Sequence, residues 1–333
     1  MKKYFYNFFI YAFIIVISLV FTISSTDAAR KNKNLIRKKH IATKTVTHKK
    51  HRSSEQRIQR VSRDPYLGAV VIDAATGEVL FDDNANAKGY PASMVKMMNL
   101  LVILEAVEAK QISLHDKVTV TPEVAIVGGS RAFLKTGDVY TVDDLLYALM
   151  VKSANDAAMA LALHYKGNRE DFVALMNKRA REIGMKDTAF RSVHGLPGKG
   201  YQPDVSTPLD ITKLCREVLK HPQALQYTST TKHLLRANTR RALVMRNHNH
   251  LVGNFEGCDG LKTGYFRAAG FSIAATASNE DGRAIAVVFG SVNRNVRDAK
   301  ARELLAESLT KIAAGSSLRR ASIEREAAIV LNR

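Results

Sequence analysis

From Met94 to Val107 the chain is apolar almost all round, broken only by Lys96, Asn99 and Glu105. A helix without a polar face must be covered on most sides, so the fold has to be built around this segment. An ammonium group on such a helix is expensive to bury unless it gives up its proton. Ser93 stands three residues before Lys96, and that spacing puts both side chains on one helix face. A serine hydroxyl is a weak nucleophile until a neighbouring base takes its proton. A lysine can be that base only when burial and a second cation depress its pKa, so the second cation must come from elsewhere in the chain.

The flanking pattern is mixed. Leu67–Asp73 and Glu78–Phe81, around Ala74-Ala75-Thr76-Gly77, read as two strands joined by a turn. Helices are expected over Asp143–Val151, Asp156–Tyr165, Phe172–Ile183 and Leu209–Leu219, the third stopped by Gly184 and the fourth by His221-Pro222. Arg241–His248, Cys258–Tyr265, Gly270–Ala277 and Ala284–Gly290 read as antiparallel strands. Arg297–Ile312 closes the domain as a helix, with Ala301, Leu304, Leu305, Leu309 and Ile312 at helical spacing. Strands at both ends with helices between predict an α/β (α+β) fold: one antiparallel sheet from both chain ends, flanked by helices, with a helical subdomain. The expected catalytic domain is 64–315, followed by a polar tail over 316–333.

The net charge of +19 is concentrated. Residues 30–63 hold 13 Lys or Arg against one acid, Glu55. A run so charged and so poor in apolar residues is expected to be a disordered linker, able to tether the chain to an anionic membrane or wall surface. Before it, Lys2 and Lys3 precede an apolar core from Phe8 to Ile23 and then small residues ending at Ala28-Ala29. That order predicts an export signal over 1–29, with retention as an anchor the alternative. An exported body, in the periplasm or cell envelope, is removed from nucleic acid, so the basicity does not imply a nucleic-acid partner. Two cysteines, Cys215 and Cys258, exclude a disulfide scaffold and a cysteine-built zinc site, and both are read as buried free thiols. His194 is read as a turn hydrogen-bonder, and His248 and His250 as surface or groove histidines without a third metal ligand. No metal or cofactor is implied.

Ser-x-x-Lys alone means little, since Ser229…Lys232 and Ser308…Lys311 also fit. Ser-x-Asn occurs at 153–155 and 291–293, and Lys-Thr-Gly at 135–137 and 262–264. Only Ser93, Ser153 and Lys262 combine a serine on a buried helix, a Ser-x-Asn between helices and a Lys-Thr-Gly on a strand. Taken together in this order, the three elements are a signature shared by penicillin-binding proteins and class A β-lactamases. The wider strings Tyr90–Met97, Val151–Ala158, His194–Pro197 and Asp259–Tyr265 extend the match. From about Asp64 to Ile312 the chain resembles the low-molecular-mass penicillin-binding proteins, the serine D-alanyl-D-alanine carboxypeptidases of peptidase family S11.

The resemblance implies a β-lactamase/transpeptidase-like fold and assigns roles. Ser93 would be the acylated nucleophile, Lys96 its general base and Lys262 the second cation. Ser153 and Asn155 would relay protons and hold the substrate amide. Thr263, Gly264 and Tyr265 would bind substrate, with the N–H groups of Ser93 and Tyr265 as the oxyanion hole. Arg297, or failing it Arg294, would take the terminal carboxylate. The implied partners are peptidoglycan stem peptides and, as inhibitors, β-lactams. Many relatives continue into a β-rich second domain and a C-terminal anchor, and the shorter form here resembles members acting as endopeptidases on D-Ala–diaminopimelate cross-links. The aromatic pair Tyr265-Phe266 departs from the smaller polar residues common after Lys-Thr-Gly and is expected to reshape the pocket mouth. A β-lactamase is disfavoured because no Glu-x-x-Leu-Asn string supplies a deacylating carboxylate. A non-catalytic wall-binding module is disfavoured by the intact Ser93, Lys96 and Lys262.

Overall fold

The computed structural model describes residues 58–198, 200 and 202–331, with side chains through residue 318. The export-signal assignment and nearly all of the basic linker fall outside these residues. At the linker's end, Val61 N–H donates to Ala268 O and Arg63 N–H to Gly290 O, each at 2.9 Å. The last residues of the segment expected to be a disordered arm are therefore docked on the domain, where the backbone finds strand-like partners.

Five strands form the main sheet in the order β2-β1-β9-β8-β7, every pair antiparallel. They are β1 (Gly68–Asp73), β2 (Val79–Asp83), β7 (Cys258–Phe266), β8 (Gly270–Asn279) and β9 (Gly282–Ser291). The two chain ends thus meet at the β1–β9 pair, as expected. The runs lack polar alternation because both faces are covered. Val70, Ile72, Ala274, Ile285 and Val287 face one core with the helical subdomain. Ala69, Val71, Ile273, Ala275 and Val288 face another, closed by Ala301, Leu304, Leu305 and Ile312 of the last helix.

Between β2 and β7 lies the helical subdomain. Ala92–Val95 is a single 3-10 turn that leads into α1 (Lys96–Glu108). Ten of the thirteen residues of α1 are buried, which makes it the central helix its composition demands. After it come β3 (Lys117–Thr119), α2 (Pro122–Ala125), β4 (Val139–Thr141), α3 (Val142–Met150), α4 (Asn155–Lys166) and α5 (Arg169–Glu182). Then follow α6 (Pro208–Leu219), α7 (Gln223–Thr228), β5 (Lys232–Leu235) and β6 (Leu243–Arg246). Thr141 caps α3 through a reciprocal box with Asp144, and Thr207 caps α6 ahead of Pro208.

Three expectations are corrected. Ser93 sits in the 3-10 turn, one turn before the α-helix proper, and residues three apart eclipse in such a turn. The strand expected at Arg241–His248 is shorter and pairs with β5 as a separate two-stranded sheet. The last helix, α8 (Arg294–Leu331), begins before Arg297 and runs on through the expected polar tail. Among the described side chains its buried apolar positions end at Ile312, so the apolar spacing that marks a helix in sequence disappears while the backbone continues.

Candidate active site

The three sequence elements converge on one cleft of about 460 Å³, lined by Ser93, Ser153, Asn155, Thr263, Gly264, Tyr265 and Arg297 among others. Ser93 is carried by the 3-10 turn, Ser153 by the turn between α3 and α4, Asn155 by the first residue of α4, and Thr263 to Tyr265 by β7. β7 is an edge strand of the main sheet. Lys96 and Lys262 are both buried, at 0% and 2% exposure.

Lys96 Nζ lies 3.1 Å from Ser93 Oγ, 2.7 Å from Asn155 Oδ1 and 2.7 Å from the His194 carbonyl. Burial first, and the neighbouring Lys262 second, hold its pKa well below the usual lysine range. A neutral amine has two N–H donors and one lone pair. In that neutral form the two carbonyl-type oxygens can take the donors, which leaves the lone pair for the Ser93 hydroxyl. Lys262 is itself lowered to about 7, by burial and then by Arg297. Its Nζ donates to the Thr263 carbonyl at 3.0 Å. Arg297 thus weighs on Lys262, and Lys262 on Lys96, each disfavouring the charged form of the amine further in.

Glycines make this convergence possible. A Cβ on Gly264 would lie 2.4 Å from the Pro91 carbonyl, and one on Gly195 would lie 1.8 Å from the Ala92 carbonyl. Gly195 also has φ +88°, a conformation in which glycine is favoured. Two backbones therefore approach the Ser93 turn closely. Ala92 and Ser153 hold left-handed backbone, at φ 48° and 58°, beside the reacting groups, the kind of strain that surrounding structure must over-determine.

The far wall is a loop pinned by α4. Asn155 N–H donates to the Ser130 carbonyl at 2.7 Å, and its Nδ2 to the Gly128 carbonyl at 2.8 Å. Asp156 accepts from the N–H groups of Ala132 and Leu134. Opposite, Asp204 accepts from the N–H groups of Arg191 and Ser192 and from Ser192 Oγ. Ser192 Oγ in turn accepts from Gly195 N–H at 2.7 Å. These loops were not recognised from the sequence as site components, because backbone carbonyls and N–H groups leave no residue-type signal.

The residues set aside fall largely as read. His194 Nδ1 accepts from Leu196 N–H at 3.1 Å, a turn hydrogen bond, while burial and Lys96 push the ring down to about 3. The unforeseen part is its carbonyl, which holds Lys96. His248 and His250 line the cleft. Burial and the Lys262 ammonium lower His248 to about 3. Cys215 and Cys258 are buried free thiols.

Arg297 is buried and lines the cleft. Its Nε and Nη2 both donate to Asp298 Oδ1, at 2.8 and 2.6 Å. Arg294 lines the same cleft but is exposed. Its guanidinium lies over the Phe271 ring at 5.9 Å, and Phe271 stacks on Tyr265 at 4.2 Å. Tyr265 is half-exposed at the mouth, and Phe266 turns the other way to stack on Tyr90.

Residues 66–293 match the family profile described as D-alanyl-D-alanine carboxypeptidase, peptidase S11. The chain is 38% identical over 237 residues to the carboxypeptidase DacF of Bacillus subtilis, covering 71% of this chain and 60% of that protein. It is 34% identical over 260 residues to DacC of Escherichia coli, covering 76% and 63%. The chain therefore spans about six-tenths of the length of these curated relatives. Among solved structures, penicillin-binding protein 6B of Escherichia coli superposes with a TM-score of 0.66 at 32% identity, covering 75% of this chain and 78% of its own. Ampicillin-bound penicillin-binding protein D2 of Listeria monocytogenes gives 0.62 at 30% identity, covering 74% and 95%. The architecture is that of the β-lactamase/transpeptidase-like penicillin-binding proteins.

Proposed function

This chain belongs to the D-alanyl-D-alanine carboxypeptidase family, peptidase S11, and we propose from that premise that it removes the terminal D-alanine from peptidoglycan stem peptides through an acyl-enzyme on Ser93. The observation that carries the reading is the buried Lys96 amine, 2.7 Å from both Asn155 Oδ1 and the His194 carbonyl and 3.1 Å from Ser93 Oγ.

The stem peptide lies along the free edge of β7, where an extended chain can add as a further strand. Ser93 Oγ attacks the carbonyl carbon of the penultimate D-alanine while Lys96 takes the hydroxyl proton. The N–H groups of Ser93 and Tyr265 hold the oxyanion, and losing one such donor costs about 3–4 kcal/mol in a comparable hydrolase. As the C–N bond breaks, a proton passes through Ser153 to the departing amine, with Asn155 holding the peptide amide. Arg297 and Thr263 hold the carboxylate of the leaving residue. Water then hydrolyses the ester, returning the proton to restore Ser93 and releasing the shortened peptide. A β-lactam acylates the same serine, and without a dedicated deacylating carboxylate the adduct is long-lived.

The charged-apolar-small order of residues 1–29 supports export to the periplasm or cell envelope, where such a substrate resides. The basic segment 30–63 supports a role in holding the enzyme near anionic membrane or wall polymers. Sedimentation with anionic vesicles should then weaken sharply as salt is raised, and salt-insensitive binding would remove that role.

A fluorescent penicillin tests the central reading. It should label the wild-type chain covalently and persistently and fail on Ser93→Ala, with D-alanine release from a pentapeptide lost in parallel. Equal labelling of both proteins would overturn the assignment of Ser93, and rapid turnover of the drug would favour a β-lactamase.

A further inference from the structure

Two of the three polar residues on the apolar helix have clear partners: Lys96 belongs to the cleft, and Glu105 pairs with Arg179 of α5. The third, Asn99, has no part in the chemistry so far. It is fully buried, one turn along α1 from Lys96 and on the same face. Its Nδ2 donates to the Ala158 carbonyl of α4 and to the Val193 carbonyl, each at 3.1 Å. Both neighbours only accept, so the amide has to present its nitrogen to them. Its Oδ1 is then left buried with no hydrogen-bond partner among the described residues. An orphaned acceptor costs free energy. An apolar side chain would bury here without that cost, so packing alone does not call for an amide.

The two Asn99 bonds repeat, one turn lower, the two that hold the Lys96 amine. Lys96 meets Asn155 of α4 and the His194 carbonyl. Asn99 meets Ala158, three residues further along α4, and the Val193 carbonyl, one residue earlier in the loop. Lysine and asparagine are thus two rungs between the same three pieces of chain. Among the described residues, Asn99 is the one hydrogen-bond donor to the buried Val193 carbonyl. The next peptide unit carries the His194 carbonyl, and its other end, Gly195 N–H, donates to Ser192 Oγ. Two consecutive peptide planes are therefore held by side chains, and the second aims its oxygen at Lys96.

We propose that Asn99 is a positioning residue for acylation: by tying α1 to Ala158 and Val193 it sets where Asn155 and the His194 carbonyl stand, and so aims Lys96 Nζ at Ser93 Oγ. It touches neither substrate nor the reacting atoms. The inference rests on the acyl-enzyme reading above and adds a residue to it. Lys262 and Arg297 govern how readily Lys96 takes a charge, whereas Asn99 governs where the amine points. The two kinds of residue should therefore fail differently.

The test follows penicillin acylation of the purified full chain. It counts labelled molecules at completion and, separately, measures the first-order rate constant at saturating drug. Asn99→Leu removes the amide at similar volume; Asn99→Ser cannot overcrowd the site and keeps one donor. The rate constant per labelled molecule should fall roughly 10- to 100-fold in Asn99→Leu, a misplacement of about 1 Å costing up to about 100-fold. In Asn99→Ser it should fall less. The drug concentration giving half the maximal rate should barely change, and the acid limb of the pH profile should stay in place. A rate constant within about twofold of wild type in Asn99→Leu, or in Asn99→Ser should the first not fold, overturns the proposal. That holds however few molecules are labelled, because a residue serving only stability would give that result. A fall accompanied by an acid limb moved to higher pH also overturns it, since Asn99 would then act on the charge of Lys96 and not on its place. A wild type that penicillin does not acylate overturns the reading beneath it instead.

Discussion

The floor and the rim of the cleft are built on opposite principles. On the floor the two lysines and Asn155 are buried and engaged: Lys96 has three oxygen neighbours, Asn155 spans Lys96 and the Gly128 carbonyl, and Lys262 bonds the Thr263 carbonyl. On the rim Tyr265 is half-exposed, Arg294 lies over the Phe271 ring, and His250 reaches Asp298 at 3.7 Å while largely in solvent. Groups that must shift a proton gain from burial, because low dielectric is what makes an amine a base at neutral pH. Groups that must recognise varied leaving residues gain from standing partly in water and unpaired. Chemistry is thus held by the fold, and selectivity is left to a few replaceable side chains. Floor substitutions should therefore lower turnover on every substrate, whereas rim substitutions should change the ranking among substrates.

The largest effect is expected at Lys262. Removing its charge as Lys262→Met deletes the cation that opposes protonation of Lys96, so the Lys96 pKa rises and less free base exists at neutral pH. Acylation by penicillin should fall roughly 100- to 10,000-fold, the range for loss of general-base catalysis. The sign is specific: the acid limb of the rate profile should move to higher pH, with partial recovery in alkaline buffer. Lys262→Arg keeps the charge and should keep the limb near its wild-type position. A Lys262→Met profile that only scales down, without moving, would break the link between the two lysines.

Next in size is Gly195→Ala. Its methyl group would stand 1.8 Å from the Ala92 carbonyl, at a backbone angle L-residues avoid. The cost is about 3 kcal/mol or more, and roughly 2–4 °C of Tm accompanies each kcal/mol in a domain of this size. The Ser93 turn is the part displaced, so penicillin labelling should drop more steeply than folded fraction measured by circular dichroism. Loss of labelling strictly in step with unfolding would show that Gly195 serves the fold and not the floor.

The sequence made the floor readable and the rim much less so. Lys96 on an apolar helix, Ser-x-Asn between helices and Lys-Thr-Gly on a strand each join a residue type to an element, and the resemblance they carry together is what implied their convergence. The sheet was readable because both of its faces are buried, leaving runs such as Ala69–Ile72 uninterrupted by polar residues. The His194 carbonyl could not be foreseen, since every residue has a carbonyl and only the fold aims one at Lys96. Three-residue strands such as Lys117–Thr119 are too short to show a period. Arg294 was visible only as a second choice for the carboxylate. Its separation from Arg297 depends on Asp298, an acid next to Arg297 in sequence whose choice of partner is settled by three-dimensional packing.

The smallest effect is expected at Tyr265, and it sharpens the comparison best because one residue contributes to both zones. Its backbone N–H belongs to the proposed oxyanion hole and survives any side-chain substitution, whereas its ring belongs to the rim. Tyr265→Ser therefore separates the two. Loss of the stack on Phe271, 4.2 Å between centroids, removes about 0.5–1.5 kcal/mol of aromatic pairing and frees the ring under Arg294. Peptide cleavage should weaken less than tenfold, with most of the change in KM, since the groups that move protons are untouched. Steady-state kinetics on the pentapeptide would check this. A fall confined to kcat would instead mean that the ring steadies the β7 edge and that floor and rim are mechanically one.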